Sequence, residues 1–234
     1  MKLNVAVHTV LCFFLLTGPF LQSRADDGII TITAKASLTT SSQLFVNPDS
    51  PDPIEQNSFV PLENDFGGGV EVKYTFFRMN LAMSMSVEYL ATGVTGQSAS
   101  GLPVEDGYQV VPVEITAYFI VPISGPELRI FMGGGGGAYI GERVYRMGGV
   151  EAPSVGSKTG FGIHVLGGAS YNITPFFALT GEMKFRDLQF DTANAFKTSH
   201  IFYNGRVIEV GTEPFSSSVH TDGVIFNLGV AFSF

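Results

Sequence analysis

The sequence predicts an all-β protein: an eight-stranded antiparallel up-and-down transmembrane β-barrel. Three observations carry this. Hydrophobic residues make up 45% of the 234 residues, yet from Asp26 onward no apolar run approaches the length of about eighteen that a membrane helix needs. Apolar residues instead alternate with small or polar ones at period two, as in strands with one apolar face. The connections between these strands alternate short and long, as in barrels whose hairpins turn back on opposite sides of a bilayer.

Residues 1–25 read as a secretory signal peptide, cleaved in the mature protein. Lys2 supplies the basic start, Val10–Leu16 an apolar run, and Ser23-Arg24-Ala25 a small-x-small cleavage site. Gly18 and Pro19 interrupt that run before it could span a membrane. Cys12, the single cysteine, leaves with it, so residues 26–234 form one domain without disulfides.

Eight strands follow, at about 28–38, 66–78, 81–91, 109–121, 127–142, 159–172, 176–190 and 223–234. The last shows the pattern plainly: Phe226, Leu228, Val230, Phe232 and Phe234 on one face, Asn227, Gly229, Ala231 and Ser233 on the other. In 177–186, Leu179, Met183 and Phe185 oppose Glu182, Lys184 and Arg186. Short connections fall at 78–80, 122–126 and 172–175, and long ones at 39–65, 92–108, 143–158 and 191–222. That count places both termini on the short-turn, periplasmic side and four long loops outside. The first loop is Pro-rich and acidic and is expected to be mobile. In the fourth, Asn204-Gly205 between β-prone runs predicts a type I′ hairpin.

Alternation alone does not say which face points outward. The polar face decides, because Ala82, Ser84, Ser86, Gly168, Ser170, Gly229, Ala231 and Ser233 would make a poor soluble surface but suit a narrow lumen. The charges on that face nearly balance: Glu71, Glu88, Glu114 and Glu182 against Lys73, Arg129, Lys184 and Arg186. Inside a barrel they should pair, since an unpaired buried charge is costly. His164 falls on the same face as a polar packer. Phe76, Phe119, Phe177, Phe232 and Phe234 near the short turns, and Tyr89, Tyr139 and Phe161 near the long loops, are expected to form two aromatic girdles.

The last eight residues, Asn227-Leu-Gly229-Val-Ala-Phe232-Ser-Phe234, resemble the C-terminal assembly signal of bacterial outer-membrane barrels. LRIFMGGGGGAYIG resembles the fifth strand of small barrels of the OmpW and OmpA-like type, and TGFGIHVLGGASYNITPFFALTGEMKFRDLQFDTAN their sixth and seventh strands. The resemblance implies a place in the outer membrane. It also implies contact with its lipids and lipopolysaccharide, and delivery by periplasmic chaperones and the barrel-insertion machinery. OmpW-like passage or binding of a small hydrophobic ligand is the function it suggests first, with Leu166 beside His164 as an apolar lumen candidate. The alternative is an OmpA- or OmpX-like structural or adhesive barrel with a plugged lumen. A membrane lipid hydrolase is a third reading.

Other chemistries find little support. A formal charge of −8 argues against nucleic acid. Gly133-x-Gly135-x-x-Ala138 follows a strand, but strand residues continue after it, so no helix N-terminus is there to hold a pyrophosphate. His200 and His220 lie in loops beside serines without the His-x-Ser arrangement that resembles lipid A deacylases. Asp49, Asp52, Glu55, Glu63 and Asp65 read as a solvated acidic loop, not as metal ligands. No catalytic residue, cofactor or metal is expected, and the chain reads as a non-enzyme.

Overall fold

The computed structural model describes residues 28–234 except 41, 63–64, 77–78, 99–100, 124, 126 and 222. The signal-peptide reading of 1–25 lies outside the described residues. Among the described residues, eight long strands run antiparallel in chain order: β1 (Gly28–Thr39), β2 (Asp65–Phe76), β3 (Leu81–Gln97), β4 (Pro103–Ile120), β5 (Leu128–Met147), β6 (Gly160–Thr174), β7 (Phe177–Asn194) and β8 (Val224–Ser233). Each pairs with the next, and β8 pairs back onto β1, with Ala36 opposite Leu228, so the sheet closes. Closure leaves no exposed edge in this ring, which a strand in hydrocarbon could not tolerate. Both ends of the barrel sequence meet at one rim, where the Phe234 N–H donates to the Ile30 carbonyl at 2.8 Å.

The strands outrun the predicted spans at the opposite rim. Residues 92–108 and 143–158, expected as loops, are largely strand. β3 and β4 stay paired out to Gln97 opposite Pro103, and β5 continues to Met147 opposite Val150. There the chain reverses through Gly148 and Gly149, whose φ values of 58° and 82° favour glycine. β7 rises furthest. Where β8 ends, residues 215–221 take its place, with Leu188 opposite Thr221 and Asn194 opposite Phe215. Residues 42–45 add to that segment and 59–62 to them. We call this raised part the crown.

The first long connection is strand at both ends, 42–45 and 59–62. Leu44 and Leu62 are fully buried under the crown, and burial of two leucines anchors the segment. Between them Asp52 caps a one-turn helix, Pro53–Gln56, accepting the Ile54 N–H at 2.9 Å. Asn204 and Gly205, at φ 49° and 74°, join residues 200–203 to 206–209 in a separate two-stranded ribbon.

The polarity of the wall inverts along its height. Low on β7, Leu179, Met183 and Phe185 face out while Glu182, Lys184 and Arg186 are buried inside. Past Arg186 the same alternation puts Leu188 and Phe190 inside and Asp187 and Gln189 outside. β4 changes likewise, from inward Glu114 and Thr116 to inward Tyr108 and Val110. Apolar residues that face out, among them Met83, Met85, Ile115, Ile163, Val165 and Leu228, form a belt around the lower barrel. An exposed apolar band of this kind suits hydrocarbon, and the crown above it has the inside-out polarity of a water-soluble protein.

Candidate functional site: the closed lumen

Sequence alternation aims four carboxylates and several cations at the same narrow space, and the structure resolves how they share it. Nearer the crown, Glu88 and Glu114 clamp Lys184 and Arg186. Lys184 Nζ lies 3.0 Å from Glu88 and 2.8 Å from Glu114, while Arg186 reaches Glu88 at 2.6 Å and Glu114 at 2.7 Å. The Tyr139 hydroxyl donates to Glu114 at 3.1 Å, closing the cluster on its β5 side. Nearer the terminal rim, Lys35 Nζ bridges Glu71 at 2.7 Å and Glu182 at 3.3 Å. Glu71 also accepts from the Tyr118 hydroxyl at 2.6 Å and from Ser84 at 3.3 Å, and Glu182 accepts from the Asn227 amide at 2.7 Å. Lys184 and Glu182, 3.9 Å apart, link the two clusters.

Pairing is what makes this burial tolerable. Moving a charge out of water costs several kcal/mol even after relaxation, and only close partners with further hydrogen bonds return it. Each glutamate here has at least one cation within 3.3 Å. The space for these side chains comes from glycines on neighbouring strands. A Cβ at Gly137 would lie 2.8 Å from the Glu114 side chain, and one at Gly133 would lie 3.3 Å from the Tyr118 ring. The Gly-rich run of β5 is thus the recess into which its neighbours' large side chains fit.

The individual sequence candidates fall in different places. Glu71, Glu88, Glu114, Glu182, Lys184 and Arg186 meet in the lumen as described. Lys73 stands at the margin, 3.9 Å from Glu71 and over the rings of Tyr118 and Phe131 at 5.2 and 5.4 Å. Arg129 makes none of these ion pairs and is exposed at the terminal mouth. His164 is buried, with Nε2 2.9 Å from the Thr116 hydroxyl and Nδ1 3.8 Å from Glu114. Gly229 packs against β1 and β7, with the Ala34 carbonyl 2.8 Å from where its Cβ would be. Phe232 and Phe234 face out, Phe232 beside Phe177 at 5.2 Å between ring centres.

Tyr139 departs from the girdle assigned to it. It shares the inward face of β5 with Phe131 and the alternate glycines, and it is fully buried against Glu114. Phe119, Phe161 and Tyr89 do face outward. Lys35 was missed as a lumen residue. Its signal was available, since it sits inward between Thr33 and Ser37, but a lone lysine in a Ser/Thr-rich strand does not stand out.

Above the charges an apolar layer seals the barrel. Leu44, Leu62, Leu90, Val110, Leu188 and Phe190 pack together, each at most 2% exposed. Over it Arg143 forks onto Asp106 at 2.8 and 2.5 Å and donates to Ser217. On the crown's outer face Ser218 donates to Asp191 at 3.1 Å and lies 3.2 Å from His220 Nε2. Among the described residues no cluster of His, Cys, Asp and Glu could hold a metal ion.

A major outer membrane protein from Thermus thermophilus superposes on this closed barrel with a TM-score of 0.53 at 12% identity, covering 88% of this chain and 99% of that one. The chain has the fold of an outer-membrane β-barrel. Looser superpositions are found with the outer membrane protein AlkL (TM-score 0.48, 12% identity, 92% and 94% covered) and with Neisserial surface protein A (0.46, 15%, 88% and 97%). No protein-family model matches the chain. No curated protein matches it either.

Proposed function

We propose that this chain is a non-catalytic structural or adhesive barrel of the bacterial outer membrane, which carries a folded crown on a closed lumen. The observation that carries this reading is the paired-charge layer of Lys35, Glu71, Glu88, Glu114, Glu182, Lys184 and Arg186, capped by the apolar layer of Leu44, Leu90 and Phe190. Water and ions would have to displace both layers to cross. The apolar belt supports insertion among outer-membrane lipids, with the crown facing lipopolysaccharide. Cleavage of residues 1–25, transit with periplasmic chaperones, and recognition of Asn227, Gly229, Phe232 and Phe234 by the insertion machinery complete the route. OmpW-like passage of small apolar molecules would require the Leu44–Phe190 layer to part, because its side chains already fill the space a ligand would use.

Planar-bilayer recording tests the choice. The closed barrel yields no steady single-channel current; a reproducible conductance from the wild-type protein overturns it. Deleting Phe234 tests the assembly route, with loss of heat-modifiable barrel from outer membranes as the expected result and normal insertion as the contrary one.

A further inference from the structure

The terminal mouth below the charge layer has a different character from anything above it. It is a small recess open to solvent, walled mainly by hydroxyl, amide and small side chains including Thr31, Thr180, Ser170 and Asn172. Two cations from well-separated strands line it, Lys73 of β2 and Arg129 of β5. No Asp or Glu is among its described lining residues. This is notable in a chain with formal charge −8 and in a lumen where the other cations have close carboxylates. Lys73 has only a 3.9 Å approach to Glu71, and that carboxylate is already held by Lys35 at 2.7 Å. The Tyr118 and Phe131 rings lie beneath the Lys73 ammonium and keep it at the floor of the recess. Glu71, shared with Lys35, offsets the Lys73 charge only in part, and an anion in the recess meets both cations, accepting hydrogen bonds from them and from the surrounding hydroxyls.

We infer that this mouth is a binding site for a small soluble oxyanion of the phosphate or carboxylate class, held between Lys73 and Arg129 and entering from the aqueous side of the terminal rim. The site does not depend on whether the lumen conducts, so its test is separate from the bilayer recording above.

The test uses the whole barrel in phosphatidylcholine nanodiscs, titrated with inorganic phosphate against chloride at constant ionic strength, and read by NMR shifts of the Lys73 and Arg129 side chains. A saturable shift with phosphate, absent with chloride, is expected. Arg129→Gln, at an exposed position, should weaken it by about tenfold, the effect of losing one charge-assisted contact. Lys73→Met should do the same. Heat-modifiable mobility establishes that each variant is folded. No saturation with phosphate, or saturation unchanged in folded Arg129→Gln, overturns the site. A shift produced by phosphatidylglycerol in the disc but not by phosphate assigns the cations to lipid headgroups and overturns a soluble ligand.

Discussion

The lower barrel and the crown are built from the same strands and solve opposite problems. In the belt the solvent is hydrocarbon, so apolar residues face out and the interior holds charges that must satisfy one another. In the crown the solvent is water, and β7 keeps its alternation past Arg186 while its inward residues turn from charged to apolar, just where its neighbour passes from β8 to residues 215–221. The interior of the crown is then an ordinary hydrophobic core. The comparison teaches that stability resides in different physics at the two heights. Pairing holds the belt, and packing holds the crown.

The largest effect expected is in the belt. Glu114→Ala removes a carboxylate shared by Lys184 and Arg186 and leaves the Tyr139 hydroxyl without its acceptor, which should cost about 3–5 kcal/mol. Urea unfolding in detergent would measure it, and a change under about 1 kcal/mol would break the claim that pairing holds the belt. Phe190→Ala should cost about 3 kcal/mol by opening a cavity against Leu188 and Tyr108. Its damage should stay in the crown: hydrogen exchange should quicken at 42–45 and 215–221, while residues 177–186 stay protected. Equal loosening at both heights would mean the two regions are not separable.

A double-mutant cycle on Lys35 and Glu71 sharpens the same point. Because Glu71 keeps Tyr118 and Ser84, the coupling energy should be about 1–3 kcal/mol, less than the cost of either single loss. Gly205→Ala should cost about 1–2 kcal/mol within the ribbon alone, since φ at 74° strains an L side chain. The smallest effect belongs to Glu105 and Arg146, an exposed crown pair at 3.1 Å. Replacing Arg146 by Gln should change stability by less than about 1 kcal/mol.

The belt was legible in the sequence because an outward apolar face, an inward small face and a handful of nearly balanced inward charges recur from strand to strand. The crown was not. Its strands invert the rule: Tyr108 falls in a stretch expected as a loop, and Leu188 and Phe190 lie in register with the polar face of their strand, so nothing in the pattern marks a second core. Residues 42–45 and 59–62 are too short to declare themselves, and only their pairing to 215–221 makes them strands. Within the lumen, residue types and faces were readable, but partners were not. Alternation says that Lys184 points inward, but not that Glu88 and Glu114, ninety-six and seventy residues away, converge on it.

The charge layer also bears on how the barrel reaches its final state. Its members come from β1, β2, β3, β4 and β7, with Asn227 of β8, and few of them have a partner until the ring has closed. A slip of one residue in any of these strands would turn its inward charges toward hydrocarbon and strand their partners inside. Wrongly aligned barrels are thereby made unstable in proportion to the number of charges they misplace. The seal in the lumen thus ties the stability of the closed ring to the register of its strands.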